Sequence, residues 1–405
     1  MPLIKNYSQL ATSPKRKIVL DLMEAGLDSI RPEKIVTPEL INSLGATEYS
    51  QVFLIGIGKG SGQVAKILER NIVFTDGYVI DNVVTTFDRL KFTLGTHPLP
   101  SQQNLDFTKT VLENISNLTP NDLVLVAICG GGSAMFEYPK SISLTKLNLV
   151  SEQLLTSRAT IQEINSIRKH LSVVKGGKLA QHLYPAKVIS LIFSDVPGND
   201  LSTIASGPTV INQSTIDDAL QIIKKYDLDL GETDLAQTPV DRIFFDAVTN
   251  KLVLSNLTAL KAMKDRAESL GCVAKIYSDK FQGDAKTAGA ELLMAAESGE
   301  ITLVGGETTL KVSGTGHGGR NQTLVLGALK HLAGDQVIAS FDSDGIDNYV
   351  FAGAIGDRTT LEKGLDPDSF LAQDNSYEFF RQVGDGIETG KLESNVSDLM
   401  IISKI

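Results

Sequence analysis

The chain of 405 residues carries 38 Lys and Arg against 48 Asp and Glu, a net charge of −10, and contains no tryptophan. So acidic and aromatic-poor a chain is no general nucleic-acid binder, which needs basic patches and stacking platforms. At 42% apolar residues it is too hydrophobic for disorder and long enough for two or three domains.

The N-terminal stretch MPLIKNYSQLATSPKRK has no apolar h-region, and no apolar run nears the ~18 residues of a membrane span, so a soluble cytoplasmic protein is expected. Residues 10–29 read as an opening helix. A pattern then repeats: a short β-branched apolar run, a glycine-rich turn, an amphipathic helix. QVFLIGIG (51–58), LVLVAIC (123–129), KVISLIF (187–193), ITLV (301–304) and QVIASF (336–341) are the runs. Runs of this kind predict buried parallel strands of an α/β fold, with ligands at their carboxyl ends. The polar stretch 226–248 reads as a connection between lobes. Helices over 252–270 and 282–298 follow it, with a strand over 272–277 between them. Cys129 and Cys272 are too few for a disulfide framework or a zinc cluster.

The chemistry should therefore lie in the turns. Gly58-Lys59-Gly60-Ser61-Gly62 has the strand–glycine–helix context of a phosphate cradle. It lacks Walker A spacing, and Ser61 stands where a dinucleotide fingerprint needs its third glycine. Lys59 is either a cation at the mouth of an anion site or an exposed turn lysine. His97, in the turn Gly95-Thr96-His97-Pro98, either meets a ligand or only shapes the loop. Gly131-Gly132-Ser133 fits a phosphate nest better than a nucleophile elbow, because Met135 replaces the final glycine of GxSxG. The dense basic stretch Arg168-Lys169-His170 to Lys175-Gly176-Gly177-Lys178 captures carboxylate or phosphate, or is a solvated helix face. A helix over 161–174 would put Arg168 and Lys175 on one side and Lys169 on the other. Asp195 ends a strand as a metal ligand, a hydroxyl acceptor or a cap. Further on, Glu307 reads as a partner of Lys59 or Arg320 or as a metal neighbour, Arg320-Asn321 opens a helix after four glycines, and His317 among them should be mobile. Asp342, Asp344 and Asp347 share one turn that lacks the EF-hand order; magnesium or hydroxyl binding competes there with plain turn formation.

Seven ordered stretches carry a family resemblance: GIGKGSGQVA, GTHPLPSQQN, CGGGSAM, EINSIRKHLSVVKGGKLA, SDVPGNDLSTIASGPTV, GGETTLKVSGTGHGGRNQ and DSDGIDNYVFAGAI. Together they resemble the glycerate 2-kinase family whose C-terminal part is the MOFRL domain. The resemblance implies an α/β protein of two domains with a cleft between them. These are a larger, doubly wound Rossmann-like domain over residues 1–240 and a smaller α/β domain over 241–405, with interleaving of the chain left open. It implies transfer of phosphate from ATP, with Mg²⁺, to the 2-hydroxyl of D-glycerate. The family's catalytic lysine falls on Lys59 and its arginine on Arg320, with Asp195 as a third catalytic group. Gly58, Gly60, Ser61, Gly131, Gly132, Ser133, Glu307 and Asn321 would hold the nucleotide, and Arg168 and Lys175 the substrate carboxylate. Asp195, Asp344 and Asp347 would bind the metal. The tail Ser394-Asn395-Val396-Ser397-Asp398 departs from the resembled family's pattern: it lacks the glycine-threonine-rich stretch that comes before the Asn-Val-x-Asp segment in many members. No nucleic-acid or membrane partner is expected, and a homodimer is compatible. The competing readings are an NAD(P)-dependent hydroxy-acid oxidoreductase and a non-catalytic sugar-phosphate sensor.

Overall fold

The computed structural model describes residues 2–157 and 159–405. The chain forms two compact units, one of Val36–Ser194 with Asn199–Val253, the other of Met1–Ile35, Asp195–Gly198 and Leu254–Ile405. This division differs from a single cut near residue 240, because the opening helix and the four residues after Ser194 group with the C-terminal half.

The unit of Val36–Ser194 with Asn199–Val253 is built on β1 (Gln51–Ile57), β2 (Asp76–Asp81), β3 (Lys91–Leu94), β4 (Asp122–Ile128), β5 (Lys187–Phe193) and β6 (Val248–Leu254). Their order is β3-β2-β1-β4-β5-β6, and the pairs from β3 through β5 are parallel. β4 is buried along its whole length and β1 from Val52 onward, which is why both read as unbroken apolar runs. The strand order reverses between β1 and β4. The crevice at such a switch point is where open α/β sheets bind ligands, and the two glycine loops flank it. Helices Leu144–Thr156, Ile161–Leu171 and Ile216–Lys225 pack together through Leu147, Val150, Ile164, Ile167 and Ala219.

The other unit carries β7 (Ala274–Phe281), β8 (Ile301–Gly306), β9 (Val337–Asp342), β10 (Gly353–Gly356), β11 (Gly386–Ile387) and β12 (Asp398–Ser403), in the order β11-β10-β9-β12-β8-β7. Only β7 and β8 pair in parallel; every other neighbour is antiparallel. The expectation of parallel strands is corrected here. The last strand, β12, inserts between β8 and β9, running against both, so ITLV and QVIASF do not touch as partners. In this register Asp398 lies opposite Gly306 on one side and Asp342 on the other. One acidic residue is thereby set between two turns that carry others.

Helix Pro14–Ser29 starts at an Ser13 cap, whose hydroxyl accepts from Arg16 N at 3.2 Å, with proline in the first turn. It buries Val19, Leu20, Leu22, Met23 and Leu27, each contributing about 1.5–3 kcal/mol. Residue 252 belongs to β6, and the next helix runs Asn256–Ser269, so its expected start was four residues early. The following helix is Ala285–Ala295. Among the described residues no helix is long and apolar enough to cross a membrane.

Candidate active site

Around the switch point, β1 and β4 end side by side and their loops are stitched together, Lys59 N donating to Gly130 O at 2.8 Å. The first glycine loop is not an open cradle. Gly60 N and Gly62 N both donate to Asp81 Oδ2 at 3.0 Å, Ser61 N donates to Gly58 O at 3.1 Å, and the Ser61 hydroxyl donates to Ile80 O at 3.0 Å. Asp81, at the end of β2, supplies the negative charge that the helix N-terminus favours. Burial pushes its carboxyl up, against the opposing pull of backbone N–H donors from Gly62, Asn82, Val83 and Gly60. The nucleotide-holding roles expected of Gly58, Gly60 and Ser61 are therefore corrected: these residues build the turn that presents Lys59.

The second loop differs. Among the described residues the backbone N–H groups of Gly131, Gly132 and Ser133 donate to no protein acceptor. The His97 ring lies against Gly131, where a Cβ would fall 2.9 Å from His97 Cδ2. Desolvation first, then the positive charges of Lys59 and Arg168, push the His97 imidazole down to about 4, so it is neutral at pH 7. Lys59, His97, Arg168 and the 131–133 loop thus form one cationic cluster with open N–H donors, suited to an anion.

Arg168 is positioned by helix Ile161–Leu171, whose capping box pairs Thr160 with Glu163. Burial draws its guanidinium down, and Glu137 partly opposes this. The helix ends at Leu171, short of the expected 174, and Lys175 does not share its face. Lys175 is fully buried, ion-paired to Glu137, and donates to Phe136 O at 3.3 Å. Its substrate-binding role is corrected to a structural one. Lys169 is buried as well, and Lys178 Nζ donates to Lys169 O at 2.6 Å and Lys175 O at 3.2 Å. Burial, then neighbouring Lys175, pushes Lys178 down to about 7. The basic stretch is neither a solvated face nor a four-cation trap; Arg168 alone joins the cluster.

In the unit that holds β12, Arg320 opens helix Arg320–Ala328. Its guanidinium is held by three carboxylates: Nε to Asp398 at 2.8 Å, Nη1 to Glu307 at 2.6 Å and Nη2 to Asp342 at 3.3 Å. Asn321 Nδ2 donates to Asp398 at 2.7 Å and to Asp347 at 3.2 Å, and its carbonyl accepts from Ser340 at 2.5 Å. Asp347 caps the helix, accepting from Asn321 N at 3.1 Å and Gln322 N at 2.8 Å. Gly319 permits this approach, since a Cβ there would fall 1.9 Å from Asp347 O. Burial pushes Asp347 up to about 7. Burial also raises Asp398, and raises Asp342 further with the charges of Asp344 and Asp398 beside it. A cavity of about 550 Å³ opens here, bordered by Gln282, Glu307, Thr308, Arg320, Asp342 and Asn348.

The three carboxylates expected to bind a metal do not assemble. Both Asp347 oxygens serve the helix, and Asp344 Oδ1 accepts from Ile346 N at 2.9 Å within its own turn. Asp195 follows β5, and its backbone carbonyl accepts from the Ser397 hydroxyl. Among the described residues no group of three or more His, Cys, Asp or Glu is arranged for a metal ion. Asn321 is fully buried, so its nucleotide-binding role is likewise corrected to one of support. His317 is not loose among its glycines: Nδ1 meets Tyr349 Oη at 2.7 Å and the rings lie 5.1 Å apart. Sequence reasoning missed Asp398 and Asp342 as the partners that hold Arg320. The signal for Asp398 was the Asn-Val-x-Asp tail itself, which supplies this contact although the glycine-threonine-rich stretch before it is missing.

Residues 18–237 match the profile of a domain of unknown function, DUF4147, and residues 300–398 match the MOFRL family. A glycerate 2-kinase of Pyrococcus horikoshii is 35% identical over 87% of both chains. A relative from Agrobacterium vitis with the provisional name hydroxypyruvate reductase is 33% identical over 96% of this chain and 94% of its own. The crystal structure of a glycerate kinase from Thermotoga maritima superposes with a TM-score of 0.87 at 30% identity, covering 96% of this chain and 99% of that one. The chain belongs to the glycerate 2-kinase family, in which a DUF4147 domain is joined to a MOFRL domain.

Proposed function

We propose that this protein is a cytoplasmic kinase that transfers the γ-phosphoryl group of ATP to the 2-hydroxyl of D-glycerate, giving 2-phosphoglycerate and ADP. The supporting observation is the cluster of Lys59, Arg168 and the open 131–133 N–H groups at the switch point of a Rossmann-ordered sheet. Phosphoryl transfer asks for alignment and for neutralisation of oxygen charge more than for covalent help. In this reading Lys59 bears on the transferring phosphoryl group, Arg168 pairs with the glycerate carboxylate, and the 131–133 N–H groups take phosphate oxygens. Arg320 is the second catalytic cation, and Asp195 orients the 2-hydroxyl. The divalent ion of the reaction arrives on the nucleotide phosphates as part of the substrate, since Asp344 and Asp347 are engaged in turn and cap.

The oxidoreductase reading, which the name of the Agrobacterium relative favours, fails on Asp81. A dinucleotide fold uses the acidic residue after β2 to hold a ribose. Here that carboxylate is 2% exposed and occupied by Gly60 N and Gly62 N. Product analysis by ³¹P and ¹³C NMR after incubation with D-glycerate and MgATP should show 2-phosphoglycerate. Formation of 3-phosphoglycerate, or NAD(P)H turnover with hydroxypyruvate in its place, would defeat the proposal. Lys59→Ala, with the fold retained, and Arg320→Ala, which also leaves Asp398 buried without its cation, should each lower kcat by orders of magnitude, and near-normal turnover in both would remove this assignment of roles.

A further inference from the structure

Asp81 closes β2, and both oxygens of its carboxylate are taken up by backbone N–H groups on and beside the Lys59 turn. Oδ2 accepts from Gly60 N and Gly62 N at 3.0 Å each, and Oδ1 accepts from Asn82 N at 2.6 Å and Val83 N at 3.3 Å. The Asp81 main-chain carbonyl accepts from Gly95 N at 2.9 Å, where the turn that carries His97 begins. One residue thus ties together the Lys59 turn, the segment leaving β2 and the His97 turn.

Two observations set this apart from an ordinary helix cap. The Asp81 side chain is 2% exposed, and among the described residues no lysine or arginine pairs with it. Burial pushes its carboxyl up against the pull of the four N–H groups. A serine or threonine hydroxyl would serve a helix start with no charge to desolvate. A carboxylate alone offers about four acceptor positions on two oxygens and no donor, which is what two pairs of N–H groups require. The second observation concerns Lys59. Among the described residues its ammonium makes no ion pair or hydrogen bond with the protein, so what order it has comes from its backbone. There three successive N–H groups are anchored: Gly58 N on Ile80 O at 3.0 Å, Lys59 N on Gly130 O at 2.8 Å and Gly60 N on Asp81 Oδ2. Gly58 and Gly60, at φ 99° and 84°, reverse the chain on either side of the lysine. Of the three anchors only the one on Gly60 is a side chain.

We infer that Asp81 is a positioning residue for the phosphoryl transfer: by holding Gly60 and Gly62 it fixes the Lys59 turn and so sets where the lysine ammonium stands. This rests on the role proposed for Lys59 above. A cation brought to a phosphoryl group acts only where the reacting geometry is met, and a misplacement of about 1 Å is enough to lose much of the rate.

Asp81→Ala removes the carboxylate and keeps the main-chain carbonyl that holds the His97 turn. In the full-length protein it should lower kcat with D-glycerate and MgATP roughly tenfold to a hundredfold, with KM for glycerate within about twofold of wild type. A general loosening of the fold would raise KM as kcat fell. The His97 imidazole gives a second readout, by NMR, in which two causes have opposite signs. Loss of a negative charge alone moves an imidazole down, whereas a Lys59 ammonium no longer held near it lets it rise from about 4. A rise is expected. Asp81→Asn, of the same shape but with one acceptor oxygen, covers failure of the alanine variant to fold and should move both quantities the same way by less. An unchanged kcat, KM rising as kcat falls, or His97 unmoved or lowered in the folded variant overturns the inference, and so does unfolding of both variants. A wild type that makes no phosphoglycerate, or Lys59→Ala with near-normal turnover, defeats the functional reading and this inference with it. Where both controls behave as proposed, an unaffected Asp81 variant defeats the inference alone.

Discussion

Arg16 offers the sharpest test of how the opening helix is tied to the C-terminal sheet. Its side chain is 1% exposed and donates to Asp357 from Nε at 2.7 Å and Nη2 at 3.0 Å, to Asp385 from Nη1 at 2.8 Å and Nη2 at 3.1 Å, and to Thr360 Oγ1 at 2.9 Å. Replacement by methionine leaves two buried carboxylates facing each other without their cation. Breaking a buried pair from one side costs about 3–5 kcal/mol. For a unit of this size about 2–4 °C of melting temperature goes with each kcal/mol, so a fall of roughly 10 °C is expected. Differential scanning calorimetry should show it in the transition that carries β7–β12. The pH dependence has a definite sign. Burial pushes the Asp357 carboxyl up, but the bonds from Arg16 and Thr359 bring it below its ordinary 3.8. A depressed carboxylate stabilises the fold above its unfolded value, and this is lost as pH falls through the folded one. The gap between wild type and Arg16→Met should therefore narrow in acid below pH 3.8. A variant melting within about 2 °C of wild type at pH 7 would refute the reasoning.

The buried Lys175–Glu137 pair sets up a second expectation: Lys175→Met should cost about 3–5 kcal/mol in stability while the folded enzyme keeps its KM for glycerate. A raised KM at full stability would return Lys175 to the ligand. His97 reports the cationic cluster directly. Its imidazole, near 4 in the wild type, should titrate higher in Lys59→Ala by NMR, though short of 6.5 because desolvation remains; no movement would separate the two side chains. Around Arg320, Glu307→Gln should cost under about 1 kcal/mol because that partner is 41% exposed. Asp398→Asn, at a fully buried position, should cost about 3 kcal/mol or more in thermal unfolding.

Much of the first sheet was legible because β1 and β4 are buried on both faces, and two-sided burial writes itself as an unbroken apolar run. The second sheet was less so. An apolar run does not encode direction, and β12 comes from the last residues of the chain, far in sequence from the strands it separates. The same long-range insertion hid Asp398, whose importance follows only from its register against Gly306 and Asp342. Glycine loops were located well and interpreted less well. Nothing local in Gly58–Gly62 shows that Asp81, on another strand, already fills the helix N-terminus. The basic stretch at 168–178 was misread for a related reason: burial of Lys169, Lys175 and Lys178 is set by Glu137 and by backbone carbonyls that close on them only after folding.

The catalytic role proposed for Arg320 would need its side chain to be ordered before a ligand arrives. A guanidinium free in solution would collect any phosphate, but its long side chain would lose much freedom on ordering. Held by Asp398 and Asp342 from the buried side, it has given up that freedom before a ligand arrives. Three acidic groups crowd one cation there, and burial, with the charges of neighbouring carboxylates, raises Asp342 and Asp398 from their ordinary value while Arg320 pulls both back down. Glu307, the most exposed of the three partners, is bound through Nη1, and in the role proposed above it is the one that a phosphoryl oxygen would replace without disturbing the buried pairs. In that proposed role, the arrangement holds the arginine in place and leaves the edge paired with Glu307 for the substrate.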